Sequence, residues 1–265
     1  MKRGDRGANV RQLQQLLKQA GFVLKVDGDY GENTEKAVLH YQKRHDLVPD
    51  GCAGAKTLTA LKGGNTDKYL KLPTLRQGAR QLGVPLAAVL AVNEVESRGC
   101  GFDAKGRPVI LFERHIMYRR LQAKGMRQQQ LDALAAKEPN LVNAEAGGYL
   151  GGEDEWQRLE QAKQIDESCA IEAASWGLFQ IMGEHWQRLG YDSAQDWQTQ
   201  MQTSEASQFL AFSRFIKANH PLLTALRSQH WAVFAKGYNG PSYQRNAYDA
   251  KLARAYNHYL TSIRA

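Results

Sequence analysis

The sequence predicts a mainly α-helical protein, with a small three-helix domain linked to a larger helical one and at most a small β hairpin. Three observations carry this. Apolar residues recur at helical spacing over most of the 265 residues. Few stretches alternate with the period of two that a half-buried strand needs. The first 62 residues hold a short internal repeat, and all five tryptophans (Trp156, Trp176, Trp186, Trp197, Trp231) fall beyond it.

The repeat is Asp27-Gly28-Asp29-Tyr30-Gly31-Glu32-Asn33-Thr34 and Asp50-Gly51-Cys52-Ala53-Gly54-Ala55-Lys56-Thr57, two copies of D-G-x-x-G-x-x-T set 23 residues apart. Asp-Gly is turn chemistry, because glycine tolerates positive φ. Each Thr leads into a helical pattern and is expected to cap it. Ala37, Val38 and Tyr41 form one helix face, and Leu58 and Leu61 another. Val10, Leu13, Leu16 and Leu17 form a third, ending at Gly21. The polar, Gly-rich run 62–67 reads as a linker. The expected domains are therefore 1–63 and 73–265, joined by 64–72. In the larger one, Pro85 suits the first turn of a helix carrying Leu86, Val89, Leu90 and Asn93. Helical spacing continues over 113–124, 128–137, 155–172, 183–190, 204–218 and 243–262. The Gly-rich run 147–152 is a break, and a small hairpin is expected near 107–111.

Composition narrows the function classes. Hydrophobic residues at 43% suffice for a packed core. The longest apolar run, 84–92, is far short of the about 20 residues that span a bilayer. Lys2 and Arg3 are followed by no apolar stretch, so no secretory signal is read and synthesis in the cytoplasm is expected. Net charge is +8, and residues 1–62 carry 11 Lys and Arg against 7 Asp and Glu. The excess favours acidic polymers or a transient membrane-surface contact, and solubility alone accounts for it equally well. No nucleic-acid reader motif accompanies it. Three cysteines, Cys52, Cys100 and Cys169, form no C-x-x-C pair, and the seven histidines form no zinc pattern. No metal or organic cofactor is expected, and nothing points to an oligomer, so a monomer is assumed.

Two constellations carry chemistry. In the first, Gly4-Asp5-Arg6-Gly7, Val10, Leu13-Gln14, Leu17 and Gly21 precede the two Asp-Gly repeats, with Tyr41-Gln42 between them. This resembles the three-helix peptidoglycan-binding domain of cell-wall hydrolases. The resemblance implies a shallow groove shaped by the Asp-Gly turns, with Tyr30 and Tyr41 offering ring faces to substrate. In the second, a helix runs into Asn93-Glu94-Val95-Glu96-Ser97 and stops at a glycine cluster, Gly99-Cys100-Gly101. It resembles the catalytic Glu-Ser of goose-type lysozymes and lytic transglycosylases. A carboxyl at a helix C-terminus feels the negative end of the dipole, and burial adds to that. Both raise its pKa, as a proton donor to a glycosidic oxygen requires. Glu96 is the expected general acid, with Glu94 turned away on the helix as the competitor.

Further pieces follow in the order of the same superfamily. Ser175-Trp176-Gly177-Leu178-Phe179-Gln180-Ile181 and Tyr238-Asn239-Gly240 resemble its sugar-lining segments. They imply Ser175, Gln180, Tyr238 and Asn239 as substrate-binding residues, while Leu178, Phe179 and Ile181 read as core. The apolar run ending in Glu113-Arg114-His115 resembles the matching stretch of N-acetylmuramidases. Glu113 is a candidate second carboxylate, or equally part of a buried network with Arg114 or His115, and Asp103 is a weaker candidate. As a whole the chain resembles a modular phage endolysin, with an N-terminal peptidoglycan-binding domain and a lysozyme-like muramidase domain. That implies hydrolysis of the β-1,4 bond between N-acetylmuramic acid and N-acetylglucosamine, acting on the wall after release from the cytoplasm. A lytic transglycosylase giving anhydro products, and a non-catalytic wall-binding protein, remain the alternatives.

Overall fold

The structure, a computed structural model, describes residues 1–97 and 99–264. Its elements follow in chain order. α1 (Ala8–Gln19), α2 (Glu32–Arg44) and α3 (Ala55–Leu61) come first, then α4 (Leu72–Leu82) and α5 (Leu86–Glu96). β1 (Ile110–Phe112) leads to α6 (Arg114–Ala123), α7 (Gln128–Lys137), α8 (Asp154–Lys163) and α9 (Glu167–Glu172). β2 (Ala174–Trp176) and β3 (Ile181–Met182) precede α10 (Ala194–Thr203) and α11 (Glu205–Lys217). α12 (His220–Arg227), α13 (Trp231–Asn239) and α14 (Tyr248–Arg264) close the chain. Two compact units emerge: Met1–Val95 with Thr224–Ala265, and Glu96–Leu223. Among the described residues no helix is long and apolar enough to cross a membrane.

In the first unit the three expected N-terminal helices surround a core of Val10, Leu13, Leu17, Tyr30, Val38 and Tyr41. Neither Thr of the repeat caps a helix. α2 and α3 begin after Gly31 and Gly54, so Thr34 and Thr57 sit inside the first turn. Each instead accepts a hydrogen bond from a buried glutamine amide. Gln14 Nε2 donates to Asp27 Oδ1, the Asp29 carbonyl and Thr34 Oγ1 at 2.9, 3.0 and 3.1 Å, and its Oε1 accepts from Gly28 N at 2.8 Å. Gln42 repeats the pattern on Asp50 Oδ1, the Cys52 carbonyl, Thr57 Oγ1 and Gly51 N. The D-G-x-x-G-x-x-T motif is therefore a socket for one glutamine.

The segment 64–72 is tied down rather than loose. Leu70 is buried, Leu72 N donates to the Asp46 carbonyl at 2.8 Å, and Lys71 Nζ donates to Thr66 Oγ1. Beyond it, Phe234, Leu252 and Tyr259 are buried, and Arg227 Nε donates to the Leu82 carbonyl at 2.9 Å.

In the second unit the expected local hairpin at 107–111 gives way to a longer-range pairing. β1 pairs antiparallel with β2, Ile110 opposite Trp176, and β2 pairs with β3. The hairpin proper is thus β2–β3, and β1 joins it from far upstream in the chain. The helix expected over 155–172 is two, because the Asp166 side chain accepts from Cys169 N and starts α9 afresh. Residues 183–185 form a 3-10 turn rather than the start of a helix over 183–190. The last helix, in the first unit, begins at Tyr248, after Ala247 turns left-handed at φ 48°. Trp176, Trp197, Phe112 and Phe212 are fully buried and anchor the core of the second unit.

Candidate active site

α5 is apolar on nearly every side and buried from Ala87 to Asn93. Its exposed end begins at Glu94, and Glu96 is its last helical residue, half-buried. Asn93, one turn earlier on the same face, is buried with no hydrogen-bond partner for its Oδ1 among the described residues. Glu94 is exposed and lines a charged pocket with Lys251, Arg254 and His258.

At Gly101 the chain is fixed by α11. Glu205 Oε1 accepts from Gly101 N at 2.8 Å, and Gln208 Nε2 donates to the Gly101 carbonyl. Gln208 Oε1 also accepts from Leu178 N at 2.7 Å, so one side chain holds the loop after Glu96 and the β2–β3 turn together. A side chain at Gly101 or Gly177 would collide with Gln208, which explains both glycines. The Val109 backbone completes the tie: its N–H donates to the Gly101 carbonyl and its carbonyl accepts from Gly177 N. Sequence reading missed Glu205 and Gln208, whose polarity on an amphipathic helix looks ordinary until their burial is seen.

Ser175 and Gln180 meet each other. Ser175 Oγ donates to Gln180 Oε1 at 2.9 Å. Gln180 Nε2 donates to the Val109 and Gly177 carbonyls at 3.2 and 2.8 Å, and its φ of 51° turns the hairpin. Both amide donors are therefore engaged inside the turn. Leu178, Phe179 and Ile181 are core, as expected.

Glu113 occupies the N-cap position of α6 directly after β1, with its side chain turned to other partners. Its Oε2 accepts from Tyr149 Oη at 2.8 Å and lies 3.2 Å from His115 Nδ1. Arg114 takes no part in that cluster; its guanidinium donates to the carbonyls of Pro139, Glu145 and Ala146. Below, a buried ion pair holds the same region. Glu155 accepts from the backbone N–H of Phe112, Leu150 and Gly151, and pairs with Arg158 at 2.8 Å. Burial opposes ionisation of Glu155, but these hydrogen bonds outweigh it and hold its pKa below the ordinary range.

Asp103 is occupied. Its Oδ1 accepts from the backbone of Lys105 and Arg107, and its Oδ2 lies 2.9 and 2.8 Å from the Arg107 guanidinium. Partial burial works against it, but the bonds from Arg107 prevail and the carboxyl stays below its usual range. Asp103 is thus the keystone of a turn, with both oxygens engaged. Tyr30 and Tyr41 also differ from expectation. Both rings are buried in the N-terminal core, and Tyr30 Oη donates to the Gly51 carbonyl at 2.7 Å, so neither presents a face to solvent. The open concavity of that module lies elsewhere. It is about 480 Å³, lined by Leu13, Leu16, Leu58, Asn9, Gln12 and Lys62. Tyr238 and Asn239 end α13 in the first unit, half-buried, with Tyr238 stacked on Phe234 at 5.8 Å.

No disulfide joins Cys52, Cys100 and Cys169. Burial pushes the thiols of Cys52 and Cys169 up to about 11 and about 12, far from thiolate nucleophiles. Among the described residues no His, Cys, Asp and Glu cluster could hold a metal ion.

The described residues thus present a helix ending in a carboxyl, a loop tied through Gly101 and Gln208 to the β2–β3 turn, and a three-helix module earlier in the chain. Comparison places the chain. Residues 85–260 match the N-acetylmuramidase family model and residues 6–61 match that of a peptidoglycan binding domain. The chain belongs to the N-acetylmuramidase family, in the two-module form of a phage endolysin. It is similar to the crystal structure of the Burkholderia AP3 phage endolysin, at a TM-score of 0.93 and 51% identity over 98% of this chain and 99% of that one. Partial matches include a probable N-acetylmuramoyl-L-alanine amidase of Bacillus licheniformis, 33% identical over 102 residues, 37% of this chain and 29% of that protein. The spore cortex-lytic enzyme of Bacillus cereus is 40% identical over 81 residues, 26% of this chain and 31% of that protein. The chain thus spans about three-tenths of the length of these curated relatives.

Proposed function

We propose that this protein is an endolysin that binds bacterial peptidoglycan and hydrolyses the β-1,4 bond between N-acetylmuramic acid and N-acetylglucosamine. The observation that carries the reading is Glu96, the last residue of a buried helix, followed by a loop whose Gly101 is held on both sides by α11. A general acid must be held against the leaving oxygen, and a position at a helix end ahead of a loop bonded at Gly101 supports that role.

In this reading Glu96 protonates the glycosidic oxygen as the bond breaks. Glu113 is the second carboxylate, holding the water or the positive charge that develops on the sugar. Its Oε2 is already engaged by Tyr149, which leaves Oε1 as the oxygen for that task. Ser175 and Gln180 shape the sugar-side turn through backbone groups, and Tyr238 and Asn239 supply further substrate contacts. Residues 1–63 form the wall-binding module, 64–72 the connection and 73–265 the catalytic domain. The 480 Å³ concavity, with apolar walls and Lys62 at its rim, is the candidate wall-binding groove in place of Tyr30 and Tyr41. Binding would hold the enzyme on an immobile polymer and raise the local substrate concentration. The protein acts as a monomer, made in the host cytoplasm and released to the wall, with its positive charge favouring anionic surfaces over any nucleic-acid partner.

The test is digestion of purified sacculi followed by mass spectrometry of the soluble products. Muropeptides ending in reducing N-acetylmuramic acid support the reading. Products lighter by one water, the 1,6-anhydro form, assign the transglycosylase route instead, and released peptides with intact glycan overturn glycan cleavage altogether.

A further inference from the structure

The Gly-rich run 147–152 reaches Glu113 only through the Tyr149 hydroxyl, and its exposed tip has no role in the function proposed above. Gly147, Gly148, Gly151 and Gly152 all adopt positive φ, between 55° and 106°. Side-chain-bearing residues resist that region, so two glycine pairs bend the chain sharply on either side of Tyr149-Leu150. The tip they frame is exposed: Tyr149 is 47% and Leu150 60% accessible. Among the described large hydrophobic residues that are exposed, these two are the only sequence neighbours, and Tyr149 is the one aromatic. An apolar tip left in water needs a reason.

The loop is nevertheless held firmly. Arg114 donates to the carbonyls of Pro139, Glu145 and Ala146, and Arg158 to that of Asn140 at 2.6 Å. Glu155 accepts from Leu150 N and Gly151 N at 2.7 and 2.9 Å. The fully buried Glu155 thus fixes the backbone of a solvent-exposed tip, while Arg114 and Arg158 hold the chain that leads into it. Tyr149 Oη, in turn, donates to Glu113 Oε2 at 2.8 Å.

We propose that the Tyr149-Leu150 tip is a sugar-binding platform, on which an N-acetylhexosamine of the glycan strand stacks with its apolar C–H face while its polar edge meets the Tyr149–Glu113 pair. The chemistry of the site fits a pyranose. An exposed aromatic ring with one aliphatic neighbour covers the sugar's apolar face, and a carboxylate beside it accepts from hydroxyl or amide groups. Preorganisation of the tip by Glu155, with its approach held by Arg114 and Arg158, lowers the entropy cost of ordering a loop on binding.

This inference rests on the glycan-cleaving reading, and the experiment separates the two. Tyr149→Ala, Tyr149→Phe and Leu150→Ala are made in the full chain, each alone and combined with Glu96→Gln. Binding of the β-1,4-linked N-acetylglucosamine hexamer is titrated by calorimetry on the forms that carry Glu96→Gln, and kcat and KM are measured on sacculi with the others. The N-terminal module is common to every form, so differences between them report on the tip. Tyr149→Ala should weaken the hexamer about tenfold, equivalent to ~1.4 kcal/mol, and raise KM, with an unchanged unfolding midpoint. Tyr149→Phe keeps the ring and should hold affinity and KM while kcat falls. If Tyr149→Ala binds and cleaves like the parent while the parent releases glycan fragments, the platform is wrong and the muramidase reading stands. If the parent releases no glycan fragments, both fail.

Discussion

At the residue scale the N-terminal module is organised by two glutamines. Gln14 and Gln42 are each 1% exposed and use both the donor and the acceptor of the amide on a D-G-x-x-G-x-x-T repeat. Replacing Gln42 with Ala leaves the Gly51 N–H and the Thr57 hydroxyl without their partner. The expected cost is about 2 kcal/mol, from the penalty for orphaned buried polar groups. Urea unfolding of the full chain checks it, and a midpoint within error of the parent refutes the socket. The two repeat aspartates differ in environment. Asp50 is shielded, and burial raises its carboxyl despite the bonds from Cys52 and Gln42. Asp27 lies in solvent, and the bonds from Asp29 and Gln14 lower it. The repeat was legible in the sequence but its glutamine was not, because Gln14 and Gln42 stand 13 and 8 residues before their aspartates and no local pattern links them. Glu96 stood out as a candidate in the sequence because a helix, a Glu-Ser and a glycine cluster are contiguous. Tyr149 did not, since its partner Glu113 lies 36 residues upstream.

At the element scale the sheet and its buried ion pair decide where Glu113 stands. β1 is recruited by β2 from far along the chain, so its three residues carry no hairpin signal of their own. Glu155 and Arg158 are fully buried and bracket β1, binding Phe112 N and the Phe112 carbonyl. Arg158→Met leaves the Glu155 carboxylate without its counterion in the core, and should cost about 3–5 kcal/mol. Chemical denaturation reads this directly, and a loss under about 1 kcal/mol, the level of an exposed pair, contradicts the assignment. α8 and α9 separate for an equally local reason, the Asp166 cap, which helical periodicity cannot reveal because it continues across the break.

The pH response is a sum over elements. Glu155, Asp103 and Asp166 are each held below their ordinary values of 4.5, 3.8 and 3.8. In each case burial is the largest influence and opposes the shift, and hydrogen bonds and cations overcome it. A lowered folded pKa means stability that is complete above the unfolded value and is lost as pH falls through the folded one. Unfolding of the second unit should therefore ease below about pH 4.5 and steepen further down. Trp156, Trp176, Trp186 and Trp197 all lie in that unit and report it by fluorescence. Asp166→Asn should flatten the acid loss, and a variant whose unfolding midpoint keeps the parent's slope against pH refutes the linkage. Asp50 has the opposite sign, since its raised carboxyl is relieved, not strained, by acid.

At the scale of the whole molecule, the work in the proposed reading divides between holding a polymer and cutting it. The helical class, the three N-terminal helices and the order of the Glu96, Ser175 and Tyr238 segments were readable from spacing and motif. The parts that fix the loops around the site, namely Glu205, Gln208 and the Arg114 clamp, were not, because each acts across 25 residues of sequence or more. The central claim is that Glu96 is the acid and that binding is separate from cutting. The most direct measurement is side-by-side pelleting and clearing of purified sacculi with the parent and Glu96→Gln. Both forms should pellet with the wall to the same extent, while Glu96→Gln releases reducing muropeptides at least about a hundredfold more slowly, the span of a lost general acid. Clearing by Glu96→Gln at the parent's rate would contradict the claim, and would move the acid to another carboxylate, with Glu113 first in line.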